Sequence, residues 1–151
     1  MRIAIAADHN GVEHKTFIVR WLTERGDDVD DRGAHDAGEV VDYPPLCADV
    51  AQQVLDGRAD LGIVVGGSGQ GEAIACNKIR GIRAGVCQDA FSAEISRAHN
   101  DANVLVLPAK ILDAEQSRAV AETWLGTAFK GGRHQRRVDQ IAALERGERL
   151  V

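Results

Sequence analysis

The sequence predicts an α/β fold in which helices cover both faces of a parallel sheet of five strands. Two observations predict it: short apolar runs alternate five times with segments of helical pattern, and polar or glycine-rich turns follow several of the apolar runs. Such alternation is typical of parallel strands, because they need the crossover connections that helices supply. A chain of 151 residues, 44% hydrophobic and 27% charged, is expected to form a single domain over residues 1–151.

The first three predicted strands and the helices between them each follow from a local pattern. Residues 2–7 (RIAIAA) form an apolar run typical of a buried strand, and Gly26 ends the helix after it. Residues 28–32 are a weaker strand candidate. The prolines at 44–45 open a second helix, and residues 60–65 (DLGIVV) are the clearest strand. The side chains expected on the inner sides of the two helices, 12–25 and 44–56, are Phe17, Ile18, Trp21, Leu22, Leu46, Val50, Val54 and Leu55.

The second half of the chain continues the alternation after a glycine-rich loop at residues 66–71. A hinge of Gly131 and Gly132 precedes one extra helix at the C-terminus. The elements predicted here are a short helix ending at residue 78, strands at 82–86 and 104–107, and helices at 91–98, 113–125 and 133–147.

Polar residues follow the predicted strands at the edge where a ligand is expected. Asp8 and His9 follow the first strand, the glycine-rich loop follows the third, and Lys110 follows the fifth. Ligands of open parallel sheets bind beyond the carboxyl ends of the strands, so these residues are expected to converge on one site. His99 and Asn100 are interpreted as lying in the connection that leads into the fifth strand.

The loop at residues 66–71 (GGSGQG) is predicted to bind an oxyanion. It lacks the GK[ST] ending of a nucleoside triphosphate loop, and Glu72 stands where a dinucleotide fingerprint needs its third glycine. Its four glycines let backbone amides point inward at a helix N-terminus. Glu72 would then be a base beside an oxyanion hole, as proton abstraction next to a carbonyl requires. The alternatives are a plain tight turn and an acidic residue that complements the helix dipole.

Arg133 and Arg137 stand four residues apart and share one face of the last predicted helix, while Val138, Ile141 and Ala142 are expected on another face. Two guanidinium groups on one face suit a phosphate. A solvated helix face is the alternative. His9 and His99 are candidate groups that titrate near neutral pH, although a lone histidine is more often structural.

Charge, hydropathy and cysteine usage exclude several classes of protein. The net charge is −5, with +3 in residues 130–151 and −8 in the first 129 residues, so no broad basic face for nucleic acid is expected. No apolar run approaches the roughly 20 residues that span a bilayer. The three scattered cysteines argue against a disulfide framework or a thiolate metal site and favour a cytoplasmic protein.

Five motifs, in their order and spacing, resemble the ribose-5-phosphate isomerase type B family, which includes allose 6-phosphate and galactose 6-phosphate isomerases. The motifs are AADHNG, DYPP, GGSGQGEAIACNKIRGIRA, SRAHNDANVL and GGRHQRRV. The resemblance covers nearly the whole chain. It implies a Rossmann-like three-layer αβα sandwich with an extra C-terminal helix, no metal or organic cofactor, and a homodimer or tetramer with active sites shared between subunits. The segment 131–151 is expected to pack on the partner subunit.

The resemblance also assigns roles to individual residues. It makes Glu72 the base that moves a proton between C1 and C2, and Ser68 the hydroxyl that helps move protons between substrate oxygens. One branch of the family has a catalytic cysteine where this chain has Gly66, so the chain resembles the glutamate branch. His99, with Asp8 nearby, matches the group that opens the furanose ring.

The remaining matches concern substrate binding. Many relatives carry arginine where this chain has Lys110, and lysine presents a point charge rather than a fork, which bears on the preferred sugar length. The residues implied to bind substrate are His9, Tyr43, Gly67, Ser68, Gly69, Gln70, Gly71, Asn100 and Lys110, with the partner subunit's Arg133 and Arg137 completing the phosphate clamp.

The leading hypothesis is therefore a cofactor-free aldose–ketose isomerase that acts on ribose 5-phosphate and ribulose 5-phosphate through a cis-enediolate. The same chemistry on a tetrose phosphate such as erythrulose 4-phosphate, or on a hexose 6-phosphate, is the alternative within that class. A non-catalytic, flavodoxin-like module for phosphate or nucleotide is an alternative outside it, but leaves Glu72 without a task. A signalling receiver domain is weaker still, because the third strand lacks the aspartate that would be phosphorylated.

Overall fold

The computed structural model describes all residues from Met1 to Val151 and contains one sheet of five strands and six helices. None of these helices has the length and apolar composition that crossing a membrane requires. The strands are β1 (Arg2–Ala7), β2 (Asp28–Asp31), β3 (Leu61–Gly66), β4 (Ala84–Val86) and β5 (Val104–Pro108). The helices are α1 (Val12–Glu24), α2 (Tyr43–Leu55), α3 (Gln70–Asn77), α4 (Ala90–Asn100), α5 (Ala114–Gly126) and α6 (Arg133–Glu145).

The sheet has the order β2-β1-β3-β5-β4, and all neighbouring strands are parallel. In the central strand β3, Ile63 lies opposite Ile5 of β1 and Leu105 of β5. The same register sets Val65 beside Ala7, so β1 and β3 end at the same edge of the sheet. The polar turns that follow these two strands therefore meet.

Helices cover both faces of the sheet, which confirms the predicted three-layer αβα fold. On one face, α1, α4 and α5 enclose an apolar core around Ile18 and Trp124, and on the other face α2 and α3 enclose a second core around Val50. Trp124 is fully buried, and its indole N–H donates a 3.1 Å hydrogen bond to Ser96 Oγ of α4. Buried indole groups need such a partner, so this bond ties α5 to α4.

Two of the helices begin with reciprocal caps. The Asp89 carboxylate accepts from the Ser92 amide at the start of α4, and Asp113 accepts from the Gln116 amide at the start of α5. In each pair the second side chain also accepts from the backbone amide of the capping residue. Asp89, which follows the carboxyl end of β4, therefore acts as a helix cap.

Two details differ from the sequence-based expectations. Helix α4 continues through His99 to Asn100, because Asp101 ends it in the left-handed conformation, with φ of 45°, and pairs with Arg83 and Arg97. His99 thus lies in the last turn of a helix rather than in the connection to β5. Leu55, expected on the inner side of α2, is 43% exposed because it lies at the end of that helix.

The C-terminal helix α6 packs beside α4 of its own chain. The Lys130 amide, just before α6, donates to the Ala98 carbonyl at 3.0 Å, and near the other end the Glu145 carboxylate accepts from the Gly81 amide at 3.2 Å. Ile141 is 40% exposed, whereas Val138 is buried. Ile141 therefore lies on the exposed face of α6, four residues after Arg137 on the same face.

Candidate active site

The turn after β1 holds Asp8 and His9 in fixed positions through Asn10. The two carboxylate oxygens of Asp8, which is buried, accept from the Asn10 backbone and side-chain amides, each at 2.9 Å. The side-chain nitrogen of Asn10 also lies 3.3 Å from His9 Nε2, and His9 Nδ1 accepts from the Val41 amide at 3.4 Å. The sequence motifs assign no role to Asn10, and its place directly after Asp8 and His9 is the signal that points to this contact.

The glycine loop after β3 presents free backbone donors, as predicted. Gly69 has φ of +76° and precedes the first turn of α3, a conformation that suits glycine. The amides of Gly67, Ser68, Gly69 and Gly71 donate to no acceptor within the chain, whereas the Gln70 amide donates to Ser68 Oγ at 3.3 Å. Ser68 itself is exposed. The loop can therefore hold a negative oxygen of a ligand at the positive end of α3.

Glu72 is, with Asp8, one of two buried carboxyl groups at this edge, and only 4% of the residue is exposed. Burial raises the pKa of Glu72 above the usual glutamate value, a hydrogen bond from its own backbone amide opposes the rise, and the charge of Asp8 adds to it. Desolvation disfavours the charged form of a carboxyl group and makes it a stronger base once ionised. The group is thus suited to taking up and returning a proton.

Gly66 and Glu72 occupy the same small volume. A Cβ added to Gly66 would overlap the Glu72 carboxyl group, with Oε2 2.8 Å away and the other carboxyl atoms closer. A side chain at position 66 and an inward Glu72 are therefore mutually exclusive. Glycine at position 66 therefore leaves the space that the Glu72 carboxyl group occupies.

Because the motif resemblance makes Glu72 the catalytic base, a Gly66→Ala substitution that displaces its carboxylate is expected to lower kcat/KM by about a hundredfold, since small misplacements of a reacting group have effects of that size. Gly126→Ala is the matched control, because a Cβ at Gly126 meets nothing within 4 Å. Steady-state kinetics and thermal midpoints of both variants check the expectation. A Gly66→Ala protein with wild-type kcat/KM would contradict the steric argument.

Tyr43 and Lys110 border the glycine loop on two sides. The Tyr43 ring lies so close to Gly71 that a Cβ there would approach its Oη to 2.5 Å. The Lys110 amide donates to the Gly67 carbonyl at 2.9 Å, and the exposed Lys110 side chain passes over Gly67 without an ion-pair partner. We call Asp8, His9, Tyr43, residues 67–72 and Lys110 the carboxyl-edge group.

The other predicted site residues lie at the opposite edge of the sheet. His99 and Asn100 end α4 shortly before β5 begins, and Arg133 and Arg137 lie on α6 beside them. We call these four residues the amino-edge group. Six residues of β3 separate the two edges, a distance of about 20 Å. One chain therefore does not bring His99 close to Asp8 or Glu72.

Both arginines of the amino-edge group are exposed, and neither forms an ion pair within the chain. The two guanidinium groups lie one turn apart in the first half of α6, near the positive end of that helix. This concentration of free positive charge suits an anion such as a phosphate.

A model of the ribose/galactose isomerase family matches residues 3–141.

The chain belongs to this family.

Relatives of the ribose/galactose isomerase family match this chain over almost its full length. The chain is 44% identical over 144 residues to ribose-5-phosphate isomerase B of Escherichia coli K12, covering 95% of this chain and 96% of that protein. It is similar to the structure of Clostridium thermocellum ribose-5-phosphate isomerase B, with a TM-score of 0.95 and 43% identity over 97% and 99% of the two chains. The family resemblance and the fold predicted from the five motifs are confirmed.

A structure of a more distant member of the ribose/galactose isomerase family contains a sugar phosphate. This is ribose-5-phosphate isomerase B of Mycoplasma genitalium with bound ribulose 5-phosphate, which has a TM-score of 0.89 and 35% identity and covers 96% of each chain. Family membership identifies the chain as a sugar phosphate isomerase.

Proposed function

We propose that the chain is a cofactor-free isomerase that interconverts ribose 5-phosphate and ribulose 5-phosphate through a cis-enediolate. The names of its relatives support the choice of substrate. The observation that carries the proposal is the position of Glu72: a buried carboxyl group with a raised pKa stands directly after a loop of free backbone amides. A base beside fixed donors is the arrangement that enediolate chemistry needs.

Glu72 takes the proton from C2 of the open-chain aldose and returns it to C1, which gives the ketose. The negative oxygens of the enediolate between these steps face the amides of residues 67–71. Ser68 moves the hydroxyl proton from O2 to O1, so the atoms balance without any added reactant. The exposure of Ser68 and its contact with the Gln70 amide support this role.

The remaining site residues bind the sugar and its phosphate. The partner subunit's His99, with Asp8, opens the furanose ring, while the partner subunit's Asn100 contacts sugar hydroxyls and Tyr43 lines the cavity. His9 and Lys110 hold the phosphate together with the partner subunit's Arg133 and the partner subunit's Arg137. The free positive charge of the arginines and of Lys110 supports the phosphate assignment.

The active site is shared between two chains of a homodimer. The distance between the carboxyl-edge and amino-edge groups within one chain supports sharing, since ring opening and proton transfer concern the same sugar. His99 and Asn100 belong with the arginines in this arrangement, so all four reach the site of the other subunit. The segment 131–151 packs on the partner, and pairs of dimers can form a tetramer.

An apolar surface beside the amino-edge group supports the dimer. Helices α4 and α6 and strand β4 form a groove of about 650 Å³, lined by Phe91, Ile141, Leu144 and Asn100 among others. Phe91 is 73% exposed, and exposed apolar patches of this kind mark association surfaces. Arg137, Ile141 and Leu144 follow one another at helical spacing, so a partner that covers this stripe also meets Arg137.

The location proposed for the enzyme is the cytoplasm. All three cysteines are free and buried, as suits a reducing compartment.

The substrate is tested by comparing kcat/KM for ribose 5-phosphate, erythrulose 4-phosphate and allose 6-phosphate in one kinetic panel. Ribose 5-phosphate is expected to give the highest value, by at least about tenfold, because the clamp fixes the distance between phosphate and reacting carbons. A higher value of kcat/KM for the four-carbon or six-carbon sugar would make that sugar the preferred substrate. The proposed mechanism would be unchanged. Absence of turnover with all three sugars would reject the isomerase proposal.

A further inference from the structure

His134 is a buried residue to which neither the motif resemblance nor the proposed mechanism assigns a task. It is the second residue of α6, stands between Arg133 and Arg137, and is only 6% exposed. Its Nδ1 atom is buried and has no hydrogen-bond partner. A polar side chain buried with an unpaired nitrogen requires an explanation, because leaving it unpaired costs free energy.

The ring of His134 stacks face to face on the ring of His99. The ring centroids are 3.9 Å apart, and the planes differ by 11°. His99 is half-buried, and its ring nitrogens form no hydrogen bond or ion pair within the chain. The stack is therefore the contact that fixes the plane of the His99 ring. It leaves the edge of that ring, where both nitrogens lie, free to face a ligand.

The surroundings of His134 favour its neutral form. Burial lowers the pKa of His134 below the usual histidine value, and the nearby His99, Arg133, Arg137 and Lys130 lower it further. A neutral ring beneath His99 does not repel the charge that His99 gains when it takes up a proton. The face of a neutral aromatic ring is instead a favourable neighbour for a cation.

We propose that His134 is a positioning residue for ring opening: its ring holds the imidazole of His99 in the orientation from which His99 transfers protons to and from the furanose. This proposal rests on the role proposed for His99 above. Under this proposal His134 matters for the aldose, because ribose 5-phosphate is a ring in solution and must be opened. Ribulose 5-phosphate has no free hydroxyl that can close a furanose, so it is already open.

The test compares two variants in two assays: the conversion of ribose 5-phosphate, and the exchange of the C1 hydrogen of ribulose 5-phosphate with solvent deuterium, which passes through the enediolate and needs no ring. His134→Ala removes the stacked ring, and His134→Phe keeps a flat ring of similar size without nitrogens. With His134→Ala, kcat for ribose 5-phosphate is expected to fall about ten- to a hundredfold, the size of effect that a misplaced catalytic group produces. The exchange rate of ribulose 5-phosphate is expected to change less than threefold, and His134→Phe is expected to recover most of the loss of kcat for ribose 5-phosphate.

Two controls make the outcome clear. The ratio of the isomerisation rate with ribose 5-phosphate to the exchange rate with ribulose 5-phosphate is measured on one enzyme preparation, so partial unfolding of His134→Ala does not affect it. His35→Ala serves as the matched variant, since His35 is an exposed histidine whose nearest charged partner is Asp31, 3.8 Å away, and its ratio is expected to equal that of the wild type.

Three results would overturn the proposal. A similar rise of KM for both sugars would mean that His134 binds the phosphate directly beside the arginines. A His134→Phe variant as impaired as His134→Ala would mean that a ring nitrogen, not the stack, is needed. Equal losses of the isomerisation and exchange rates would mean a general structural role. If His99→Ala itself lacks the selective loss with ribose 5-phosphate, the role proposed for His99 fails instead.

Discussion

Replacing Glu72 with glutamine is expected to lower kcat by about 10²- to 10⁴-fold, the usual contribution of a general base. Glutamine fills nearly the same space beside Gly66 but takes up no proton. Binding of substrate is expected to change only a few-fold, because the phosphate clamp and the loop amides remain. Steady-state kinetics together with the affinity for a non-reacting sugar phosphate measure the two effects separately.

The raised pKa of Glu72 leads to two further expectations, one for the stability of Glu72→Gln and one for the pH dependence of the wild type. Folding raises the pKa of Glu72, so the ionised carboxylate destabilises the fold above that pKa, and glutamine avoids this cost. The thermal midpoint at neutral pH is therefore expected to stay level or rise. In the wild type, the acidic limb of kcat/KM is expected above the pH at which an ordinary glutamate titrates.

The matched control is Glu115→Gln, a change of another first-turn glutamate on the exposed surface of α5, which is expected to leave kcat unchanged. If Glu72→Gln turned over at the wild-type rate, another group would have to be the base.

Mixing two inactive variants is expected to restore activity. Glu72→Gln damages the carboxyl-edge group and Arg137→Ala damages the amino-edge group, so each homodimer alone has two impaired sites. A heterodimer contains one intact site and one doubly damaged site, and a random mixture of equal amounts should therefore reach about a quarter of wild-type activity. The measurement uses two affinity tags, so that heterodimers are purified before they are assayed, and the purified heterodimers should reach about half of the wild-type activity.

The same experiment distinguishes which residues act across the interface. His99→Ala is expected to complement Glu72→Gln, since His99 belongs to the amino-edge group, whereas Tyr43→Phe, Ser68→Ala and other changes in the carboxyl-edge group are expected not to. Purified heterodimers of Glu72→Gln and Arg137→Ala that stay inactive would show that both residues serve the same chain's site.

The fold and the carboxyl-edge group followed from local information. Strand and helix periodicity along a chain reports burial directly, and the rule that ligands bind at the carboxyl ends of parallel strands needs only the order of the elements. Asp8, His9, Glu72 and Lys110 meet at one edge for this reason. The family resemblance added roles that spacing alone does not supply.

The amino-edge group depended on tertiary contacts that sequence patterns do not encode. Helix α4 extends to Asn100 because Arg83, from a different segment, pairs with Asp101 beyond the helix end. That extension sets His99 against α6 and away from Asp8. The overlap of Gly66 with the Glu72 carboxyl group also results from packing between residues that are not adjacent in the sequence. The same is true of the stack of His134 on His99.

Because Glu72 and His99 of one chain lie at opposite edges of the sheet, the activity of the enzyme is expected to depend on its assembly. Under the proposed arrangement, a newly synthesised chain carries two half-sites and no whole one, so it is inert until it meets a second copy. Specific activity should then fall on strong dilution, in step with dissociation of the dimer, and return when the protein is concentrated again.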